Sequence, residues 1–202
     1  MTKNTDIHPA ANPWILFSEW FALAEKSESN DPGAMALATV GPHGIPSVRV
    51  VLLKGYNEQG LVFYTNRESN KGEHLRRHPK AAICLHWKSI YRQIRAEGPV
   101  SLVSDAESDA YFASRPRESR IGAWVSQQSR PLDSRATLDR TLHEYEKKFE
   151  GKEVPRPPYW GGFRLVPLTI EFWMGGDFRL HDRIVYHRAD EQASWTRERL
   201  YP

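Results

Sequence analysis

Arg179-Leu180-His181-Asp182-Arg183 sets three potential cations at alternate positions. Read as part of a strand over 179–187, the run places Arg179, His181 and Arg183 on one face and Leu180, Asp182 and Ile184 on the other, because successive side chains alternate. Three cations on one face repel each other unless that face meets an anion, such as a phosphate or an electron-rich ring. The plainer reading is a solvated outer face. Glu171-Phe172-Trp173 and the pair Gly175-Gly176 just upstream weigh against it, since turn glycines would hold the strand close to something.

Three further clusters point the same way. Tyr111 and Arg115 share a helical face, and Ser119 follows four residues later across Pro116. A phenol, a guanidinium and a hydroxyl together suit a phosphate monoester, and an exposed helix end is the alternative. Arg49 and Lys54 flank the apolar run Val50-Val51-Leu52-Leu53. Strict alternation puts them on opposite faces, so they serve different sites, protect a strand edge, or are re-aimed by a bulge. Gln93 and Arg95 share a strand face opposite Ile94, and a glutamine inside a barrel needs a polar partner.

Other chemistries find no support. The chain has no GxGxxG, no GxxxxGK[ST] and no Gly-x-Ser-x-Gly elbow. His74 and His78 have metal-ligand spacing, but Arg76 and Arg77 between them repel a cation, so no metal site is expected. Cys84, the single cysteine, sits in an apolar run and reads as core filler. An organic cofactor is the economical remaining source of chemistry. The 28 basic and 25 acidic residues are well mixed along the 202-residue chain, at net charge +3 and pI near 9.0, which gives no nucleic-acid stripe. With no disulfide, no signal-peptide pattern and no apolar run of membrane-spanning length, a cytoplasmic protein that contacts no membrane is expected.

These residues need elements to hold them. Residues 1–12 are expected to form a mobile tail, and 13–202 one domain. Asn12-Pro13 caps an amphipathic helix over 13–27. Strands are expected at 34–40, 47–56, 61–66, 81–87, 91–103, 163–174, 179–187 and 195–200, with helices at 69–78, from an Asp105 N-cap to 113, at 118–126 and at 134–149. Eight short strands with inserted helices suggest a closed or nearly closed antiparallel barrel.

Taken in order, the motifs Arg49-Val-Val-Leu-Leu-Lys54, Phe63-Tyr-Thr-Asn66, Arg92-Gln93, Tyr111-Phe-x-Ser-Arg-Pro-Arg117, Ser119-x-Ile-Gly-Ala-Trp-Val-Ser126, Gln128-Ser129, Trp160-Gly-Gly-Phe-Arg164, Glu171-Phe-Trp173 and Arg179-Leu-His-Asp-Arg183 closely resemble the pyridoxine/pyridoxamine 5′-phosphate oxidase family. The resemblance covers about 31–202. It implies a mainly β (α+β) split barrel with peripheral helices, forming a homodimer with FMN in a groove between subunits. It implies FMN contacts from Arg49, Lys54, Tyr64, Thr65, Lys71, Gln93, Gln128, Ser129, Trp173 and Arg183. Lys54, Tyr111, Arg115 and Ser119 would hold a substrate phosphate, and Arg179 and His181 would lie against the substrate ring as the catalytic pair. The implied reaction oxidises pyridoxamine or pyridoxine 5′-phosphate to pyridoxal 5′-phosphate by hydride transfer to flavin, with dioxygen reduced to hydrogen peroxide.

Three departures from the family pattern stand out. Asn70, not Arg, precedes Lys71, so one flavin-phosphate contact is lost or comes from Arg67. Met174 follows Trp173 where Gln is common. The tail over 1–11 lacks the usual Arg-x-x-Tyr closing segment. The missing closing segment and Met174 keep open a phenazine-pathway type of flavin oxidase with the same fold, and the basic pI keeps open a non-catalytic protein that binds flavin or nucleic acid.

Overall fold

The computed structural model describes residues 6–202. Helix α1 (Pro13–Ser27) leads into β1 (Ala34–Val40), β2 (Pro46–Leu52), β3 (Gly55–Asn57) and β4 (Gly60–Asn66). Then come α2 (Asn70–Arg77), β5 (Lys80–Trp87) and β6 (Arg92–Leu102). Three helices follow, α3 (Asp105–Ser114), α4 (Arg117–Val125) and α5 (Arg135–Lys148). The chain ends with β7 (Trp160–Leu165), β8 (Thr169–Met174), β9 (Asp182–His187) and β10 (Thr196–Leu200).

Every pairing is antiparallel. The main path runs β10-β9-β8-β6-β5-β1-β2, and a second arm, β3-β4-β7, joins it at β6. This curled sheet is the split barrel that the motifs imply. Its corner is made by β6, whose Arg92–Glu97 stretch pairs with β8 while Val100–Leu102 pairs with β7. Gly98 turns that corner: a Cβ there would stand 2.0 Å from the Val166 carbonyl oxygen. The expected strand 163–174 is therefore two strands, because Val166 N–H bonds Pro99 O and Leu168 N–H bonds Glu97 O as the chain crosses from one arm to the other.

Two other expected strands differ for similar reasons. The stretch 47–56 divides at Leu53–Lys54, where Leu53 N–H bonds Gly33 O and Lys54 N–H bonds Val62 O. That change of partner ends β2 before Lys54, so strand alternation does not fix its direction relative to Arg49. The stretch 179–187 becomes a strand only at Asp182. Phe178 and Arg179 take left-handed backbone (φ 56° and 63°) in a turn closed by Leu180 N–H to Asp177 O. Arg179 and His181 therefore sit on a loop, and the shared strand face expected for Arg179, His181 and Arg183 does not exist. A smaller shift moves the cap of α3 to Ser104, whose hydroxyl accepts from Glu107 N–H. Asp105 pairs with Arg156 instead.

The core lies inside the curl, under α1. Asn12 caps that helix by accepting from Trp14 N–H, and Pro13 occupies its first turn. Phe17 and Phe21 lie against Tyr56 at 4.8 and 5.2 Å between ring centroids, and Trp20 meets Phe172 edge-on. A satellite cluster of Ile121, Val125, Phe149 and Val154 joins α4 to the α5 end.

Of the expected mobile tail, 1–5 lie outside the described residues. Beyond them the segment is docked. Ile7 is buried, its N–H bonds Asp182, and Ala10 O accepts from Tyr186 and Arg197. Polar composition concealed this, because one apolar side chain, the main chain and an Asp6–Arg199 ion pair do the docking.

Candidate functional site

A cleft of about 660 Å³ opens between the end of β2, β4 and helices α3 and α4. Three cations line it, Lys54, Lys71 and Arg115, and no carboxylate does. Each arrives on a different element. Lys54 comes from the partner switch after β2, Lys71 from the first turn of α2, and Arg115 from the break between α3 and α4.

The Lys71 end is a polar cradle. Its ammonium donates to Gln128 Oε1 at 2.7 Å, Ser69 Oγ at 3.1 Å and Thr65 Oγ1 at 3.2 Å. Thr65 Oγ1 also donates to Gln128 at 3.1 Å. Burial, then the charge of Arg49, pushes the Lys71 pKa down to about 8. Ser69 makes no side-chain cap to α2, so the N–H groups of Lys71 and Gly72 in its first turn remain available to an anion. Ser129 closes the cradle by accepting from Asn70 N–H at 3.2 Å. Arg49 does not line the cleft of its own chain but lies within electrostatic reach of Lys71. Arg67 does not line the cleft, and its Nη2 faces Asp105 at 3.7 Å.

The Arg115 end is aromatic. Tyr64 stacks on Tyr111 at 4.0 Å and 14°, and on Trp160 at 5.5 Å and 7°. The Arg115 guanidinium lies over the Trp160 ring at 4.8 Å. Arg156 anchors Trp160 by donating to its carbonyl at 2.7 Å while pairing with Asp105 and Asp109. Burial raises the Tyr111 phenol pKa against the opposing pull of Arg115, and lowers that of Arg115. Arg115 Nη1 is buried with no hydrogen-bond partner, the state expected of a cation whose anion comes from outside the chain. Ser119 completes this wall from α4. Tyr111, Arg115 and Ser119 therefore do converge, although on two helices and not on one face.

The remaining expected residues form a second group. Gln93, Trp173 and Arg183 are cross-strand partners in one row over β6, β8 and β9. The His181 ring packs on Trp173 at 4.6 Å. Gly176 N–H donates to His181 Nδ1 at 3.2 Å, which leaves Nε2 as the nitrogen free to donate in the neutral ring. Arg183 grips Glu171 in a two-pronged pair at 3.0 and 3.2 Å. Arg179 is exposed beside them. None of these five residues lines the cleft.

Sequence reasoning missed the supporting residues. Trp160 and Asn66 line the cleft, and Glu171 fixes Arg183. All three stand inside the quoted motifs, but their roles depend on cross-strand neighbours that no local spacing reveals.

Comparisons with known proteins show the family. Residues 24–149 match the family profile described as pyridoxamine 5′-phosphate oxidase. Residues 160–202 match the pyridoxine 5′-phosphate oxidase C-terminal dimerisation region. Proteins from Brucella canis and Brucella suis named pyridoxine/pyridoxamine 5′-phosphate oxidase are 56% identical over 203 residues, covering all of both chains. PhzG from Burkholderia lata 383, solved with tetrahydrophenazine-1-carboxylic acid, superposes with a TM-score of 0.89 at 31% identity, over 96% of this chain and 94% of that one. A pyridoxamine 5′-phosphate oxidase-related FMN-binding protein from Nostoc punctiforme shares the fold, with a TM-score of 0.76 at 20% identity over 96% of this chain and all of that one. The chain is thus an oxidoreductase that belongs to the pyridoxine/pyridoxamine 5′-phosphate oxidase family.

Proposed function

We propose that this protein binds FMN and oxidises pyridoxamine 5′-phosphate and pyridoxine 5′-phosphate to pyridoxal 5′-phosphate. The observation that carries the reading is the cleft with three cations and no carboxylate. Its two ends fit two phosphates. The Lys71 cradle, with Arg49, Thr65, Ser129 and the start of α2, suits the flavin phosphate. Lys54, Tyr111, Arg115 and Ser119 suit that of the substrate. The depressed Lys71 pKa and the unpartnered Arg115 Nη1 are what cations held ready for incoming phosphates would show. When bound, FMN supplies the hydride acceptor and passes the electrons to dioxygen, which yields hydrogen peroxide.

The chain's own residues then have defined tasks. The phosphate grip fixes one end of the substrate, so the carbon to be oxidised is held in place without a further search. Arg179 and His181 lie against the pyridine ring, with His181 Nε2–H presented to a ring acceptor and Arg179 compensating charge. Gln93, Trp173 and Arg183 complete the flavin site. Since these five lie outside the cleft of their own chain, the reading requires a second copy to bring them to it. Val48, Val50 and Leu52 on β2 expose 65%, 67% and 36% of their surface beside the cleft, an apolar row suited to being covered in a homodimer. A reducing cytoplasm suits a chain whose single cysteine is unpaired.

The test is direct. Pure protein supplied with FMN should be yellow and should release peroxide on turnover of either phosphorylated vitamer. A colourless protein that takes up no FMN would refute the proposal. The likeness to PhzG supports a second reading, a phenazine-type substrate. Steady-state assays with phosphorylated and unphosphorylated compounds separate the two, since only the first needs the Lys54, Tyr111, Arg115 and Ser119 grip.

A further inference from the structure

His74, set aside above as a metal ligand, belongs to a hydrogen-bonded chain that ends on Arg49. Arg49 Nη1 donates to Thr39 Oγ1 at 2.7 Å and to Leu37 O at 3.0 Å, and Nη2 donates to Ser47 Oγ at 2.6 Å. Among the described residues no carboxylate pairs with Arg49 within 4.0 Å, so neutral acceptors alone aim its guanidinium. Thr39 is only 2% exposed, and its Oγ1 lies 3.0 Å from His74 Nδ1.

The proton positions follow from what is available. Thr39 Oγ1 accepts from Arg49, and among the described residues His74 Nδ1 is the remaining partner for its hydroxyl proton. A buried hydroxyl left without an acceptor is destabilising. Thr39 therefore donates and Nδ1 accepts, which places the His74 proton on Nε2. A donor that also accepts is polarised, so this bond strengthens the Arg49–Thr39 bond. The ring is seated against Gly41, where a Cβ would lie 3.1 Å from Cε1 and 3.3 Å from Nε2. Burial, then Arg49, Arg77 and His78, hold the His74 pKa below its ordinary value, which keeps Nδ1 an acceptor at neutral pH.

We propose that His74, acting through Thr39, is a positioning residue for Arg49 and sets the strength of the protein's grip on the FMN phosphate. The inference rests on the reading that Arg49 holds that phosphate. Arg49 is assigned to the phosphate alone, so the effect should appear with FMN and not with riboflavin.

The test titrates FMN, and separately riboflavin, into the full-length flavin-free chain, following flavin fluorescence. His74→Leu and Thr39→Val should each weaken FMN about tenfold, the loss of one well-placed hydrogen bond. Riboflavin binding should not change. His74→Asn should restore FMN affinity to within about twofold, because its Oδ1 takes the place of Nδ1 as acceptor. The double variant Thr39→Val/His74→Leu should be no worse than either single one. Equal weakening of FMN and riboflavin would mean a merely structural role and overturn the proposal. So would unchanged FMN binding in both single variants while Arg49→Lys loses it. If Arg49→Lys also spares FMN, the assignment of Arg49 itself falls and takes the relay with it. Should His74→Leu not fold, Thr39→Val breaks the same relay from its other end.

Discussion

Lys71 carries the sharpest residue-scale expectation. Its pKa is lowered from 10.5 to about 8 in the free protein, so it binds fewer protons there than beside a phosphate. FMN affinity should be full from about pH 7, where the ligand's phosphate is doubly ionised, to pH 8, and fall as pH rises further. At pH 8 binding should take up about half a proton, measurable by calorimetry in buffers of different ionisation enthalpy. No proton uptake would mean that Lys71 does not meet the phosphate. A second expectation divides the residues around Trp173. Arg179→Ala and His181→Ala should cut turnover about 10²-fold with little change in FMN affinity. Arg183→Ala should weaken FMN instead. It should also cost about 1–2 kcal/mol of stability, less than breaking an isolated buried pair, since Arg183 keeps 25% of its side chain exposed and Arg95 still reaches Glu171 at 3.4 Å. Thermal melts of Arg179→Ala should show no such loss.

At the scale of elements, α1 acts as the plug of the curled sheet. Phe17 is fully buried and lies against Tyr56, next to the point where β2 ends before Lys54. Phe17→Ala should cost about 3–5 kcal/mol, enough to lower the melting temperature by roughly 10 °C. Helix α1 itself was legible to the residue, because a cap, a proline and apolar spacing all agree within one segment. Elements that change partner were not. The breaks at Leu53–Lys54 and Val166–Leu168 arise where hydrogen bonds pass from one arm of the sheet to the other, and an apolar run reads the same on both sides of such a corner. The loop holding Arg179 was misread as strand for a related reason. Two left-handed residues that are not glycine carry no sequence signal.

On the scale of the whole molecule, one chain divides the expected site between a cleft and a separate row of strands. The proposed homodimer reunites them. Val48→Asp places a charge in the exposed apolar row without entering the cleft and should yield monomers by analytical ultracentrifugation, with loss of FMN retention. A monomeric variant that still retains FMN would place the whole flavin site within one chain.

By itself the sequence determined the family, the antiparallel mainly β fold, most element positions and the residue types suited to anions. Those properties are local: periodicity, capping, and ordered motifs within short stretches. Only the tertiary structure decided which of these residues meet. It put Lys54, Lys71 and Arg115 in one cleft, paired Arg183 with Glu171, turned Arg67 to Asp105 and joined His74 to Arg49 through Thr39. Each of those contacts spans strand corners or separate helices. Long-range pairing sets the distances between charges there, and spacing along the chain does not encode it.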